Sequence, residues 1–448
     1  MHQDENSHHG KRPKTLRDPV HKDIRLSPAE LALIDTPGMQ RLRGIRQLGA
    51  AFYVYPGAQH SRFEHSLGTC WMAKKIMASI EQRNDFAFPE SEKRAVCLAS
   101  LAHDITHIPF GHTFEDERKL MPRHDRSAMR YEYFLENGLA GKVLMNSDAG
   151  RLALRILHPQ KPMPEEKQYL RQIVSGTICA DLLDYLKRDN YFCGLSQEYD
   201  ERVFHYFTID GGELRLALHR HGLFRREALS EITNLLRIRY VLSERVYYHH
   251  AKIACGVMIS KAVERALAQG MQEQEFFSLT DDALPGHLRR KYGHDDGLAV
   301  LLDGLASRRM YKRCYLLSRE IGEDAVKRLV DRYHDDCGSA RANAEQRIAE
   351  ALRGHQHEVA IYCSPEHMAL KEANMPVIPA PHRTERFCDI NTTEIRVLQQ
   401  QHRQLWKFYV FVAPRLADRL EEAGHVCEEV FGLPNELPRE MRGANPQS

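Results

Sequence analysis

The ten cysteines of this sequence include no C-x-x-C pair, which removes the usual signature of a thiolate zinc site. No apolar run approaches the ~20 residues needed to cross a bilayer, and the opening MHQDENSHHGKRPK lacks the apolar core of a secretory leader. An excess of one charge is missing as well. Lys+Arg 63 against Asp+Glu 61 leaves a formal net charge of +2, so no global basic field advertises nucleic acid and any anion site must be local. Neither an internal repeat nor a low-complexity block interrupts the chain. These absences point to a cytoplasmic protein with free thiols in a reducing compartment. The 448 residues can bury a large core, enough for two or three domains, and 42% hydrophobic with 28% charged content is ordinary for globular proteins.

Residues 1–13 read as a disordered polar tail, and Lys14 to Leu26 as a short strand or hairpin. From Ser27 the pattern is helical for about 230 residues. One interruption stands out: from Arg202 to Arg220, two alternating runs flank Asp210-Gly211-Gly212, a hairpin signal. Beyond about residue 330, HEVAIYCS, RFCDI and WKFYVFVA read as strands, and LADRLEEAGHVCEEVF as a helix. The expectation is a mainly α protein: a helical domain over 14–330 with small β-hairpins, then a smaller mixed α/β lobe over 331–448.

One stretch is dense in imidazole and carboxylate. SLAHDITHIPFGH, Ser100 to His112, carries His103, Asp104, His107 and His112. Ala95, Leu98, Ala99 and Ala102 run into it at helical spacing. His103 therefore continues their buried stripe, while Asp104 turns about 100° away. Pro109 is expected to end that helix. Upstream, RFEHSLG opens another helix carrying His65. Downstream, Asp181, Tyr185 and Asp189 share one helical face at i, i+4, i+8.

Taken in order, RFEHSLG, LAHDITHIPFGH and D-x-x-D-Y-x-x-R-D resemble the HD-domain phosphohydrolase superfamily. IDTPGMQRLRGIRQLGAAFYVYPGAQHSRFEHSLG is similar almost throughout to the SAM-and-HD-domain dNTP triphosphohydrolases and their bacterial dNTPase relatives. The similarity is strong from about Lys14 to Lys252 and weak beyond, and the short stretch before Lys14 leads to the expectation of an HD domain without a SAM domain. The resemblance implies that the helical core is an HD domain and that His65, His103, Asp104 and Asp181 hold one divalent ion. Nitrogen and oxygen donors without thiolate suit Mn, Fe, Mg or Zn. Coordination to zinc can lower the pKa of water from ~15.7 to ~7, about 12 kcal/mol of proton affinity.

The same resemblance implies a substrate site. Arg62 would contact phosphate, and His112 would protonate the leaving nucleoside 5′-oxygen. His107 and His124 would bind phosphate or relay protons, with Asp104 shared between the metal and this catalytic set. Gln47 and Leu48 align beside the sugar 3′-hydroxyl and the base, and Tyr185 beneath the deoxyribose. Asp189 joins the substrate-binding set, as do Arg239 as a phosphate ligand and Tyr247 as a stacking ring. Two positions depart from the family. Leu182 replaces a triphosphate-binding lysine, unless Lys187 or Lys252 compensates, and Ser243 replaces a histidine near the base.

The resemblance also implies that Asp35, Gln40 and Arg43 match positions that read a guanine nucleotide at a subunit interface and that Lys14 matches a phosphate contact, although Arg17 and Thr15 stand where the family has asparagine and valine. The same residues could instead cap and brace a helix. The expected function is a metal-dependent dNTP triphosphohydrolase, a homo-oligomer (dimer or tetramer) with a regulatory nucleotide. Two alternatives stay open. One is an HD phosphohydrolase or phosphodiesterase for another nucleotide, monophosphate or cyclic. The other is a nucleotide-sensing or nucleic-acid-binding protein using Lys11-Arg12-Pro13-Lys14 and Arg289-Arg290-Lys291.

Overall fold

The computed structural model describes residues 12–83, 86–158, 160–335, 339–390 and 392–441. Most of the expected tail, up to residue 11, lies outside them. The fold opens on the antiparallel hairpin β1 (Lys14–Asp18) and β2 (Lys22–Leu26). Its turn is tied by Asp18, whose carboxylate accepts the backbone N–H of Val20 and of His21 at 2.9 and 2.7 Å. Behind it α1 (Arg62–Gln82) packs against α2 (Glu90–Ala102) and α3 (Ala180–Cys193), and these three carry the central histidines and carboxylates.

Helix α2 ends at Ala102, well before Pro109. The reason is local. The His103 Nδ1–H donates to the Ser100 carbonyl at 2.8 Å, and Arg41 takes the carbonyls of Ile105 and His107 at 2.9 and 2.7 Å. With those acceptors occupied, residues 103–106 form turns and the helix cannot propagate through them.

The expected hairpin is present as β3 (Phe207–Asp210) and β4 (Glu213–Ala217), with its first residues in a 3-10 turn, Glu201–Tyr206. Gly212 at the tip has φ +79, and a Cβ there would lie 2.4 Å from the Glu165 carbonyl oxygen, so only glycine fits. Two long helices follow, α4 (Arg226–Leu242) and α5 (His250–Ala268). Besides a two-residue pairing of His219–Arg220 with Leu223–Phe224, the remaining strands among the described residues are β5 (Lys312–Ser318), β6 (Val359–Cys363), β7 (Pro376–Ala380), β8 (Arg383–Arg386) and β9 (Lys407–Val412). The closing helix α6 spans Leu420–Phe431.

Both larger sheets cross the boundary expected at residue 330. One has the order β8-β7-β4-β3, with β7 parallel to β4; the other has β9 between β5 and β6, antiparallel to both. RFCDI is not a strand. The strand ends at Arg386, and Phe387–Ile390 is helical. Phe387 is fully buried, its N–H donates to the Met375 carbonyl at 2.9 Å, and Asp389 then pairs back to Arg386 at helical spacing.

The second sheet backs a separate apolar cluster around Trp406, Phe408 and Tyr315. A buried ion network sits beside it. Arg118 donates to both Glu264 oxygens at 2.7 and 2.8 Å and to Glu345 at 3.1 Å, while Lys261 reaches Glu345 at 2.6 Å.

Candidate active site

Ser61 and Glu64 form a capping box that fixes the first turn of α1, so Arg62 and His65 enter the interior with set directions. The His65 Nε2 lies 3.0 Å from Asp181 Oδ1, 3.3 Å from His103 Nε2 and 3.9 Å from Asp104 Oδ2. His103 Nε2 lies 3.4 Å from Asp104 Oδ1 and 3.9 Å from Asp181 Oδ1. Ligands at about 2.0–2.2 Å from one ion are separated from each other by about 3–4 Å. All five distances fall in that range, and the donors of His65, His103 and Asp181 lie within 4.8 Å of one another. These three donors fit a divalent ion, and Asp104 faces the same space, with Oδ1 toward His103 and Oδ2 toward His65.

The surrounding residues orient these donors. His103 gives its Nδ1 proton to Ser100, leaving the Nε2 lone pair directed inward. His65 faces Asp184 with Nδ1 at 2.7 Å. Asp184 is fully buried and also accepts from Arg188 at 2.9 and 2.9 Å, with His21 Nε2 at 2.6 Å; Arg188 in turn reaches Asp18 at 2.9 Å. The amino-terminal hairpin thus braces the carboxylate that braces His65. Gly68 makes room for it, because a Cβ there would lie 1.8 Å from Asp184 Oδ1. Electrostatics agree with a cation site. Burial alone would lower His65, but hydrogen bonds to Asp181 and Asp184 outweigh it and push the imidazole up to about 10. Burial would raise Asp104, yet His103 and Arg62 hold it well below the usual carboxylate range.

A second cluster adjoins the first through Asp104. Arg62 donates to Asp104 Oδ2 at 2.7 Å, and His107 Nε2 lies 3.3 Å from Oδ1. His107 stacks on His124, with ring centroids 3.5 Å apart. His107 is fully buried, and neither of its ring nitrogens has a hydrogen-bond partner. Burial, Arg62 and His124 all push it well below its ordinary value, so it presents a neutral ring. His112 has a side chain 44% exposed, with Nδ1 3.0 Å from Asp116 and 3.5 Å from Glu115. Glu115 is buried, accepts from Arg130 at 2.8 Å, and lies 3.2 Å from His124 Nδ1.

The remaining candidates form a third group. The Arg239 guanidinium sits 5.3 Å from the Tyr185 ring centre and 4.9 Å from that of Tyr247. Tyr247 donates to Asp189 at 2.6 Å, and Asp189 faces His60 at 2.9 Å. The N–H of Gln47 donates to the His60 carbonyl at 3.0 Å, while its buried Oε1 has no partner. Leu48, beside it, packs partly buried against the core. Leu182 is buried. Lys187 lies 3.5 Å from Glu201 and Lys252 pairs with Glu117, so both lysines are committed to carboxylates. Around the departing position Ser243, the structure supplies His402, whose Nε2 is 3.3 Å from Ser243 Oγ, and it sets Glu372 3.7 Å from Arg239 Nε.

Of the four regulatory candidates, Arg43 donates to Gln40 at 2.8 Å and Gln40 to the Ile34 carbonyl at 2.7 Å. Asp35 is the C-cap of the helix Pro28–Ile34, and Lys14 is exposed at the start of β1. Of the basic runs, Arg289 pairs with Asp303 and Lys291 with Glu275.

Sequence reasoning missed Asp184, Glu115, His60, Glu372 and His402 as members of the site. Asp184 alone left a trace, as the second carboxylate of D-x-x-D. His60, Glu372 and His402 face partners far away in the chain, whereas Glu115 meets the nearby His112, His124 and Arg130.

The family model described as HD domain matches residues 62–189, and that described as HD associated region matches residues 216–440, half of the chain. The chain is 31% identical over 285 residues to the human deoxynucleoside triphosphate triphosphohydrolase SAMHD1, covering 56% of this chain and 44% of that protein. It is 29% identical over 304 residues to an uncharacterised protein of Methanocaldococcus jannaschii, covering 67% and 59%. It spans about half the length of the curated relatives it matches. Two solved structures share the fold. A hypothetical protein of Aquifex aeolicus has a TM-score of 0.69 at 23% identity, covering 92% of this chain and 99% of that one. A phosphohydrolase of Bacteroides thetaiotaomicron has 0.68 at 24%, covering 89% and 99%.

Proposed function

This chain belongs to the HD-domain phosphohydrolase family, and from that premise we propose that it hydrolyses deoxynucleoside triphosphates to deoxynucleoside and inorganic triphosphate. One observation carries the reading: single donor atoms of His65, His103 and Asp181 lie within 4.8 Å of one another, and Asp104 stands 3.4 Å from His103 Nε2 and 3.9 Å from His65 Nε2. When bound there, a divalent ion supplies Lewis-acid activation of water and phosphate. Its identity among Mn, Fe, Mg and Zn is a matter for metal analysis.

In this reading the chain's own groups position the substrate and move the protons. Arg62 and neutral His107 bind phosphate oxygens, with His124 stacked behind His107. Water attacks the α-phosphorus, the bond to the nucleoside 5′-oxygen breaks, and exposed His112 delivers the proton that this oxygen needs. Tyr185 lies under the deoxyribose, Gln47 Oε1 accepts from the sugar, and Leu48 flanks the base. Arg239, held between Tyr185 and Tyr247, takes the distal phosphates, with Asp189 fixing Tyr247.

A hydrolase of nucleoside monophosphates is the second reading, favoured by Leu182 and by two lysines already paired with carboxylates. A panel of the four dNTPs, the ribonucleotides and the monophosphates, with Mg or Mn, separates them. Triphosphate released from a dNTP, and lost in Asp181→Asn together with bound metal, supports the first. Orthophosphate from monophosphates alone replaces it with the second.

Lys14, Asp35, Gln40 and Arg43 are proposed as a regulatory nucleotide site between subunits of a cytoplasmic dimer or tetramer. A shift in assembly or a lag in turnover on adding dGTP supports it; indifference to every nucleotide in both assays rejects it. No helix among the described residues is long and apolar enough to cross a membrane.

A further inference from the structure

Asp281 lies outside every motif above, in the short segment between the 3-10 turn Glu273–Ser278 and the helix Ala283–Tyr292, and its side chain is fully buried. One of its carboxylate oxygens accepts the backbone N–H of Arg46 at 2.8 Å, and the other accepts the backbone N–H of Phe110 at 2.8 Å. Its own N–H donates to the Gly44 carbonyl at 2.9 Å. Residue 46 adjoins Gln47 and Leu48. Residue 110 lies between His107 and His112 and holds a left-handed backbone, φ 57, that a phenylalanine adopts only under constraint.

We propose that Asp281 is a positioning residue for the reaction: its single carboxylate fixes the separation between the segment carrying Gln47 and the loop carrying His107 and His112. The inference rests on the hydrolase reading above only for the roles of those side chains. The clamp itself is geometric. Arg41 fastens the same parts from the other side, donating to the carbonyls of Ile105 and His107 at 2.9 and 2.7 Å and to that of Leu279 at 3.5 Å. Contact is close: a Cβ on Gly44 would lie 2.4 Å from Thr280 Cγ2.

The charged groups facing Asp281 are Arg46, 3.7 Å away, with Arg62 and Arg41 beyond, and its exposed neighbour Asp282 pairs with Arg46 at 2.9 Å. Burial pushes the Asp281 carboxyl up to about 6, against the pull of the two N–H groups and the arginines. Once protonated, one oxygen turns donor and one of the two N–H groups loses its acceptor. The clamp therefore loosens as pH falls through 6.

Amide exchange and turnover of the metal-loaded full chain test this with Asp281→Asn, and with Gly44→Ala, which displaces the Thr280–Asp281 segment without touching the carboxylate. Faster exchange is expected in the peptides containing Arg46 and Phe110 in both variants. In Asp281→Asn, kcat should fall at least tenfold at pH 8 with bound metal unchanged, and the wild-type to variant ratio should approach one near pH 5. Unchanged exchange in either peptide overturns the proposal. Faster exchange with unaltered kcat, or a ratio constant from pH 5 to 8, reduces Asp281 to a structural group and overturns it too. A wild-type protein inert on every nucleotide refutes the hydrolase reading instead, and the exchange data still decide the clamp.

Discussion

Asp184 stands 2.7 Å from Nδ1 of His65, while Asp181 stands 3.0 Å from Nε2 of the same ring, so one imidazole is held between two carboxylates from successive turns of one helix. Only the Nε2 side is shared with His103 and Asp104. Asp184 is thereby the residue that sets the direction of His65.

Replacing Asp184 with Asn keeps the shape and removes the charge that holds the Nδ1 proton. Metal affinity should weaken about 10–100-fold, as for other partners of metal-bound histidines. Titration of metal-stripped protein with Mn or Zn measures it. Affinity equal to wild type would show that Asp184 serves Arg188 and His21 alone.

Tyr185 is expected to exclude the ribose 2′-hydroxyl. In Tyr185→Ala the preference for deoxy over ribo substrate, read as a ratio of kcat/KM, should fall by about 10–100-fold, the usual range for steric discrimination of a single group. An unaltered ratio would remove Tyr185 from the sugar site.

The pairing of Glu345 with Arg118 and Lys261 is buried on both sides, so Glu345→Gln takes the counter-charge from Lys261 and leaves Arg118 with Glu264 alone. Destabilisation of about 3–5 kcal/mol is expected from chemical denaturation. Burial raises Glu345, but Lys261 and Arg118 outweigh this and hold its carboxyl below the ordinary value. A depressed folded pKa contributes stability above the unfolded value of about 4.5, and that contribution is lost as pH falls below it. The difference between wild type and variant should therefore shrink in acid.

Asp281 has the opposite sign. Its folded value of about 6 exceeds the unfolded 3.8, so the folded state binds the proton more tightly and gains stability as pH falls. Asparagine has no such titration. Between pH 5 and 7.5 the stability of Asp281→Asn relative to wild type should rise by about 1.4 kcal/mol. Parallel denaturation curves at the two pH values check this, and a constant difference would count against a raised Asp281.

What sequence reasoning reached was set by range. His65, His103, Asp104 and Asp181 stood in short motifs whose spacing and order were visible, and the Asp210–Glu213 turn was announced by its glycines. Contacts that depend on tertiary approach were not visible: His60 meets Asp189, Asp281 meets Phe110, and His402 meets Ser243 across more than a hundred residues. Local competition misled in two places. The His103 ring took the carbonyl that would have continued its helix, and buried Phe387 turned an apolar run from strand to helix.

Strand β7 runs parallel to β4 through the pairs Leu216–Val377 and Ala217–Ile378, which lie about 160 residues apart. Such a pairing cannot form until the ribosome has released the later partner, and long-range parallel contacts are slow to close. Glu372 and His402 come from this same late-made stretch. A nascent chain therefore holds all four candidate metal-ligand side chains well before Glu372 and His402, which flank Arg239 and Ser243, have been made.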